Sequence, residues 1–204
     1  MNREMKAEYD LIAEQWLAAR VELPEKDQQL LDRFIQLLPP NPRVLDLGCG
    51  SGVPIAKSLV NQGCAITGVD RSKCLLEHAQ HLMPEQTWVH SELEDYCPAD
   101  SFDGIMFWDS IFHIPRTEHT SLLKMAFSAL KPKGVLMLSS GGSDKNIPAF
   151  TDYMFEQQFY YDALPMEELI SLCRTIGFTL EQRVMVNQPD GKRDKGRLGL
   201  LLRK

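Results

Sequence analysis

The sequence predicts an α/β fold: a doubly wound, mostly parallel sheet with helices on both faces. Two observations carry this. Short apolar runs alternate with helix-period segments from Arg43 to Ser139, and such alternation needs crossover helices that cover both faces of a parallel sheet. After Pro165 the pattern changes to one helix and two runs joined by a Gly/Lys-rich turn, which reads as an antiparallel hairpin laid on the sheet.

The elements follow in order. Met5, Tyr9, Ile12, Trp16 and Ala19 recur at alternating four- and three-residue steps, one face of a first helix. A second helix, about Glu25 to Leu38, carries Leu30, Leu31, Phe34, Leu37 and Leu38, and Pro39-Pro-Asn-Pro42 stops it. Strand Arg43–Leu47 opens into a glycine loop and a helix Val53–Asn61, with Pro54 in its first turn and Gly63 past its end. Strand Ala65–Val69 leads to a helix capped by Ser72 and halted near Pro84. Strand Thr87–His90 and an acidic loop precede strand Phe102–Trp108, and a helix Thr117–Leu130 connects to strand Val135–Ser139. Pro165 opens the last helix, with Glu167 and Glu168 favourably placed in its first turn and Gly177 at its end. Phe178, Leu180, Gln182, Val184 and Val186 then alternate with polar partners, the turn Asp190–Gly196 follows, and Leu198–Leu202 closes the hairpin.

Composition excludes several classes. A chain of 204 residues, 44% hydrophobic and 25% charged, fits one domain with a sizeable core. No apolar run approaches membrane-spanning length, and the lead Met1-Asn-Arg-Glu-Met-Lys6 runs into a charged amphipathic stretch, so a membrane location and export are not expected. Five scattered cysteines, Cys49, Cys64, Cys74, Cys97 and Cys173, form no C-x-x-C pair and suit a reducing cytoplasm. A formal charge of −6 gives no general attraction for nucleic acid. The basic cluster Lys192, Arg193, Lys195, Arg197, Arg203 and Lys204 is the exception, read as a solvated hairpin because Asp190 and Asp194 interrupt it. His78 and His81 share a helix face without a third ligand, so no metal is expected.

The chemistry concentrates at Arg43-Val-Leu-Asp-Leu-Gly-Cys-Gly-Ser-Gly52. Glycines serve there because the chain turns sharply and a ligand presses against bare backbone. Asp46 beside the loop would repel a pyrophosphate and attract a cation, and Asp70, ending the next run, can hydrogen-bond both hydroxyls of a ribose. A ligand with a ribose and a positive centre fits both acids. The dinucleotide fingerprint G-x-G-x-x-G would want its third glycine at Val53, which disfavours a dehydrogenase.

Val44-Leu-Asp-Leu-Gly-Cys-Gly-Ser-Gly52, Thr67-Gly-Val-Asp70, Phe102-Asp-Gly-Ile105 and Leu130-Lys-Pro-Lys-Gly134 resemble, in order and spacing, the successive motifs of class I S-adenosylmethionine-dependent methyltransferases. The resemblance implies a seven-stranded sheet with a reversed last strand and an N-terminal helical lid, in agreement with the reading of the residues. It also implies one domain over 1–204: a cap (1–40), a cofactor-binding core (41–140), and a substrate cover with the C-terminal hairpin (141–204). The cofactor would be S-adenosylmethionine, released as S-adenosylhomocysteine. Gly48, Cys49, Gly50 and Gly52 would pass under its methionine portion with Asp46 near the amino-acid or sulfonium end; Asp70 would take the ribose and Arg71 cover the adenine. Glu92 stands where the family has an acid for the adenine amino group, with Leu93 next. Trp108 and Asp109 would face the methionine side. Tyr9, Trp16 and Arg20 resemble the lid, with Arg20 clamping the methionine carboxylate and the two rings against the sulfonium; packing of an apolar stripe is the alternative.

For catalysis the candidates are His113, placed to take a proton from the acceptor, and Asp109. A buried structural histidine is the other reading of His113. Phe107-Trp-Asp-Ser-Ile-Phe-His113 departs from the Asn/Asp-Pro-Pro-aromatic motif of nucleic-acid amino methyltransferases, and the aromatic stretch Phe150–Tyr161 suits a substrate cover. The expected partner is therefore a small-molecule acceptor, with no membrane and no nucleic acid, and with monomer and homodimer both open. Two other classes stay open: a methyltransferase acting on RNA or protein, and a non-catalytic S-adenosylmethionine-binding protein.

Overall fold

The structure, a computed structural model, describes residues 8–190 and 194–204. Met5 and the residues before it, Lys192 and Arg193 lie outside this range.

Five strands run parallel in the middle of the chain: β1 (Arg43–Leu47), β2 (Ala65–Asp70), β3 (Thr87–His90), β4 (Phe102–Phe107) and β5 (Leu130–Gly141). With β8 (Thr179–Asn187) and β9 (Arg197–Arg203) they form a seven-stranded sheet in the order β3-β2-β1-β4-β5-β9-β8. β9 is antiparallel to both its neighbours, so the reversed last strand is present and slots between β5 and β8. A separate two-stranded hairpin, β6 (Phe150–Met154) and β7 (Gln157–Tyr161), stands after β5.

The central strands are continuous apolar runs because both faces are covered. One face buries Val44, Ile66, Met106 and Met137 against Leu30, Leu31 and Phe34 of α2 (Glu25–Leu37) and Ala56 and Leu59 of α3 (Ile55–Asn61). The opposite face buries Leu45, Ile105 and Leu136 against Leu122, Leu123 and Ala126 of α5 (Arg116–Ala129) and Leu169, Ile170 and Cys173 of α6 (Met166–Ile176). α4 (Lys73–Leu82) starts at Ser72, whose hydroxyl accepts the Leu75 N–H at 3.2 Å. Among the described residues no helix is long and apolar enough to cross a membrane.

Three elements differ from the sequence expectation by two residues or more at a boundary. The first helix is split: a 3-10 turn Tyr9–Ile12 passes into α1 (Ala13–Ala19) at Ile12, whose φ of −125° breaks the helical run. α3 starts at Ile55, not Val53, because the glycine loop keeps its left-handed turns through Gly52. β5 starts at Leu130, which pairs with Phe102 before the chain bends at Lys133 and resumes pairing at Val135.

Strand order reverses between β1 and β4, which diverge toward β2 and β5 respectively. Loops leaving their carboxyl ends therefore border one crevice. Its floor depends on α2 lying close to β4. A Cβ on Gly104 would stand 2.5 Å from Phe34 Cζ and 3.0 Å from Leu38 Cδ2, and Phe34 is fully buried. Gly104→Ala is expected to destabilise the fold by about 1–3 kcal/mol through overpacking, read as a lowered urea midpoint at unchanged m-value.

Candidate active site

The crevice is a cleft of about 980 Å³, its open mouth included. Every residue expected to bind the cofactor or act in catalysis lines it: Asp46, Gly48, Cys49, Gly50 and Gly52 from the loop after β1; Asp70 and Arg71 from β2; Glu92 and Leu93 after β3; Trp108, Asp109 and His113 after β4; Tyr9, Trp16 and Arg20 from the N-terminal segment.

The glycine loop makes the floor. A Cβ on Gly48, whose φ is +84°, would sit 2.2 Å from Ser110 Cβ, so the β1 and β4 loops touch backbone to side chain. Gly50, at φ +54°, differs: a Cβ there would meet only Leu75 at 3.6 Å and the Trp16 indole at 3.9 Å, so it would project into the cleft. Bare backbone at Gly50 keeps the floor open for a ligand.

Two acids stand beside this floor. Asp70 accepts the Gly50 N–H on one oxygen (2.7 Å) and the Ser72 N–H on the other (2.8 Å), with the Arg71 backbone N–H as a further donor. Burial raises its pKa, and these backbone bonds only partly oppose that. Asp46 is buried and accepts no hydrogen bond from the described residues. Burial, then the neighbouring Asp70 charge, push its carboxyl up to about 7. Burial likewise raises the Cys49 thiol, which argues against reactivity at that position.

The lid is fastened at both ends of the loop it covers. The Asp10 carboxylate accepts the Ser72 hydroxyl at 2.5 Å and the Cys74 N–H at 3.1 Å; burial opposes its charge, but these bonds hold its pKa below the usual value. Arg71 pairs with Glu8 at 2.9 Å and approaches Glu92 at 3.5 Å. Tyr9 packs edge-on to Trp16 (5.1 Å) and to Phe159 of β7 (5.0 Å), so lid and hairpin share a small core in which Ile12 and Phe159 are fully buried.

His113 is held on both ring nitrogens. Nδ1 lies 2.9 Å from the Tyr160 carbonyl, an acceptor only, so Nδ1 carries the proton. Nε2 then accepts the Tyr9 hydroxyl at 3.0 Å. Burial pushes the imidazole down to about 4, against the weaker help of that carbonyl and of Asp109.

Asp109 is the hub of a buried ion chain. Its carboxylate accepts Arg197 Nη1 on both oxygens (2.6 and 2.5 Å), Arg20 Nη2 on one (2.7 Å) and the Ser139 hydroxyl on the other (3.0 Å). Burial opposes ionisation, but the two guanidinium groups outweigh it and hold its pKa below the ordinary value. Arg197 Nη2 continues to Asp27 of α2 at 2.6 Å, and the Trp108 indole N–H also reaches Asp27 (3.2 Å). One Asp27 oxygen is buried without a partner. The remaining N–H groups of Arg20 take no hydrogen bond from the described residues.

For Arg197 this corrects the reading of the C-terminal basic cluster as a solvated hairpin; Lys192 and Arg193 lie outside the described residues. Arg197 is largely buried under the cleft, Arg203 pairs with Glu181 at 2.6 Å, and Lys204 donates to the Leu130 carbonyl at 2.6 Å. Asp27 and Arg197 were missed as site residues. One signal was legible: Asp27 lies three, four and seven residues before Leu30, Leu31 and Phe34, and a charge on an apolar stripe calls for a buried partner.

Behind the Asp109–Arg197 pair lies a second cavity of about 1220 Å³, lined by Phe112, Phe150, Tyr161, Ser140 and Arg197 among others. Tyr161 stacks between Phe150 (5.3 Å) and Phe112 (6.1 Å), and the buried Ser140 hydroxyl has no partner.

Two outcomes follow from these charges. Asp46 has a folded-state pKa above its unfolded value, so its proton is held more tightly in the folded protein and the resulting stability is lost as pH rises from about 4 through about 7. Relative to Asp46→Asn, the native protein is expected to lose stability over that window, by at most on the order of 4 kcal/mol, in thermal unfolding without added ligand. Arg197→Leu leaves Asp27 without its cation and Asp109 with Arg20 alone, and is expected to cost about 3–5 kcal/mol in urea unfolding. Arg197→Lys should recover little, because one ammonium cannot span both acids as a guanidinium does.

A sequence profile of the family described as "Methyltransferase domain" matches residues 19–183. A ubiquinone biosynthesis O-methyltransferase of Vibrio campbellii (strain ATCC BAA-1116) is 30% identical over 104 residues, 48% of this chain and 43% of that protein. The chain spans about half the length of the curated relatives it matches. Among solved structures, an S-adenosylmethionine-dependent methyltransferase from Clostridium acetobutylicum ATCC 824 has a similar fold, with a TM-score of 0.72 at 14% identity over 96% of this chain and 98% of that one. The N-methyltransferase NodS from Bradyrhizobium japonicum WM9, in complex with S-adenosyl-L-homocysteine, gives 0.67 at 16% identity over 91% and 90%. With the profile covering most of the sheet and the cleft, the chain belongs to the class I S-adenosylmethionine-dependent methyltransferases.

Proposed function

We propose that the chain transfers a methyl group from S-adenosylmethionine to a small-molecule acceptor. The single observation that carries this is the pairing of the Gly50 cradle with two buried acids, one of which has no protein partner. The residues fit the cofactor: a Cβ at Gly50 would occupy the space its methionine portion needs, Asp46 has a carboxyl for a cation that no described residue compensates, and Asp70 lines the cleft as an acceptor for a ribose diol. Bound there, the cofactor supplies a methyl carbon already activated by its sulfonium.

The chain's own part is positional. Gly48 and Gly50 give a floor without side chains, and Asp46 faces the positive end. Arg20, with donors to spare beyond its bond to Asp109, takes the methionine carboxylate. Glu92, Leu93 and Arg71 border the adenine end. Tyr9 and Trp16 close over the loop and exclude water, so the reacting atoms are held in line, an effect worth on the order of 7–11 kcal/mol at best. On this reading 1–40 act as cap, 41–140 as cofactor core and 141–204 as acceptor cover and hairpin of one unit. The ring stack Phe112, Tyr161 and Phe150, in the cavity behind the Asp109–Arg197 pair, offers an apolar acceptor a surface. A small acceptor also suits the engagement of Arg197 by Asp109 and Asp27 under the cleft, which takes it from any polymer.

Calorimetry tests the reading. S-adenosylhomocysteine should bind one to one, and Asp70→Ala should weaken it by about 10- to 100-fold, the loss of hydrogen bonds to a charged acceptor. Saturation of the cleft by NAD(H) or ATP in place of S-adenosylhomocysteine would overturn it.

A further inference from the structure

We propose that the acceptor's nucleophilic atom is already anionic when it enters the cleft, a thiolate or an acidic phenolate, and that no residue of the chain takes a proton from it. The proposal rests on the methyltransferase reading above and names the substrate class of that same site.

The candidate bases of the cleft are, among the described residues, already engaged. His113 has both nitrogens engaged, Nδ1–H on the Tyr160 carbonyl and the Nε2 lone pair on the Tyr9 hydroxyl. Its ring cannot turn to free one, because Phe112 (4.8 Å), Tyr161 (4.8 Å), Tyr9 (5.7 Å) and Phe159 (6.0 Å) box it in, and a flip would break both bonds. The charged groups that act on it are Asp109, which favours protonation, and Arg71, which opposes it; burial exceeds both. A base works best when its pKa lies near the working pH, and this imidazole sits well below it.

The other groups fare no better. Asp109 accepts two donors on each carboxylate oxygen, from Arg197, Arg20 and Ser139, so its lone pairs are filled and its charge is shared between two guanidinium groups. Tyr9 already donates its hydroxyl proton to His113, and burial makes its phenolate costly. Ser110 donates to the Leu47 carbonyl at 2.6 Å. Asp46, which accepts from no described residue, and Asp70 are committed in the reading above to the positive end and the ribose of the cofactor.

An anionic acceptor needs none of these groups. Its lone pair forms the new bond to the methyl carbon, the carbon–sulfur bond of the sulfonium breaks with its electron pair going to that sulfur, and the negative and positive charges cancel. No proton moves. Cancelling two charges is also favourable in a covered cleft of low dielectric. A neutral alcohol or an ammonium ion would have to shed a proton with nothing placed to receive it.

Two measurements test this on the full chain. The first follows the His113 ring by NMR in protein saturated with S-adenosylhomocysteine, from about pH 5 to about pH 9. We expect the neutral Nδ1–H tautomer throughout; a midpoint near neutrality overturns the proposal. The second uses labelled S-adenosylmethionine with thiophenol, benzyl mercaptan, 4-nitrophenol, benzyl alcohol and benzylamine as probes. Thiophenol and 4-nitrophenol are expected to be methylated about 100-fold faster or more than the alcohol and the amine, the factor a missing general base leaves. The pH midpoint of kcat/KM should move with the acidity of the two thiols. A midpoint fixed at one value for both, faster turnover of the alcohol or amine, or no methylation of the anionic probes by protein that binds S-adenosylhomocysteine each overturns the proposal alone. No uptake of S-adenosylhomocysteine at all overturns the methyltransferase reading and the proposal with it.

Discussion

The buried chain Asp27–Arg197–Asp109–Arg20 is the constraint on which the cleft's shape depends. It joins four separate parts of the molecule: helix α2, the start of β9, the loop after β4 and the end of the lid helix. Two acids and two bases balance, so no net charge is buried, and each desolvated group is compensated by the next. Such a chain adds little stability over apolar packing, but removing one member leaves an uncompensated charge in a low-dielectric site. Its value is therefore geometric. Asp109 sits at φ +56°, a conformation unusual for a residue with a side chain, with its backbone N–H on the Ser139 hydroxyl at 2.7 Å. Two guanidinium groups from opposite sides fix that carboxylate, and with it the wall between the cleft and the cavity behind.

Much of the fold was legible in the sequence because its parallel strands are uninterrupted apolar runs with punctuation at both ends. Arg43–Leu47, bounded by Pro42 and Gly48, was readable to the residue. The hairpin β6–β7 was read only as an aromatic cover, and the reason is specific. Its turn uses Phe155 and Glu156 at φ +48° and +63°, where glycine or asparagine would normally announce a reversal. The first helix failed differently. Its apolar spacing is helical from Tyr9 to Ala19, but Asp10 reaches across to the start of α4 and Ile12 turns into the hairpin's core, and these tertiary contacts break the helix.

The site divides along the same line. The glycine loop and the two acids are encoded within a short span each, and Gly50 and Asp70 meet because parallel strands β1 and β2 carry them to the same edge. Asp109 and Arg197 lie 88 residues apart, and Asp27 and Arg197 lie 170 apart. No local pattern relates them, and Arg197 looked like one more cation in a polar turn. His113 shows the limit most sharply. Its position was readable, but its state is set by Tyr9 and by the Tyr160 carbonyl, 104 and 47 residues away, and those partners decide whether the ring can act as a base.

Partners, then, sort the buried titratable groups by purpose. Asp46 and Asp109 end neighbouring strands of one sheet and line one cleft, yet their pKa values move in opposite directions. Asp109 has its lone pairs filled by protein donors, which makes it part of the frame. Asp46 accepts from no described residue, and its burial favours the neutral, protonated form. A carboxylate left unsatisfied by its own chain is a poor structural element and a good binding one, because the ligand that completes it gains what the protein could not supply. By the same rule His113, satisfied on both sides, belongs with the frame.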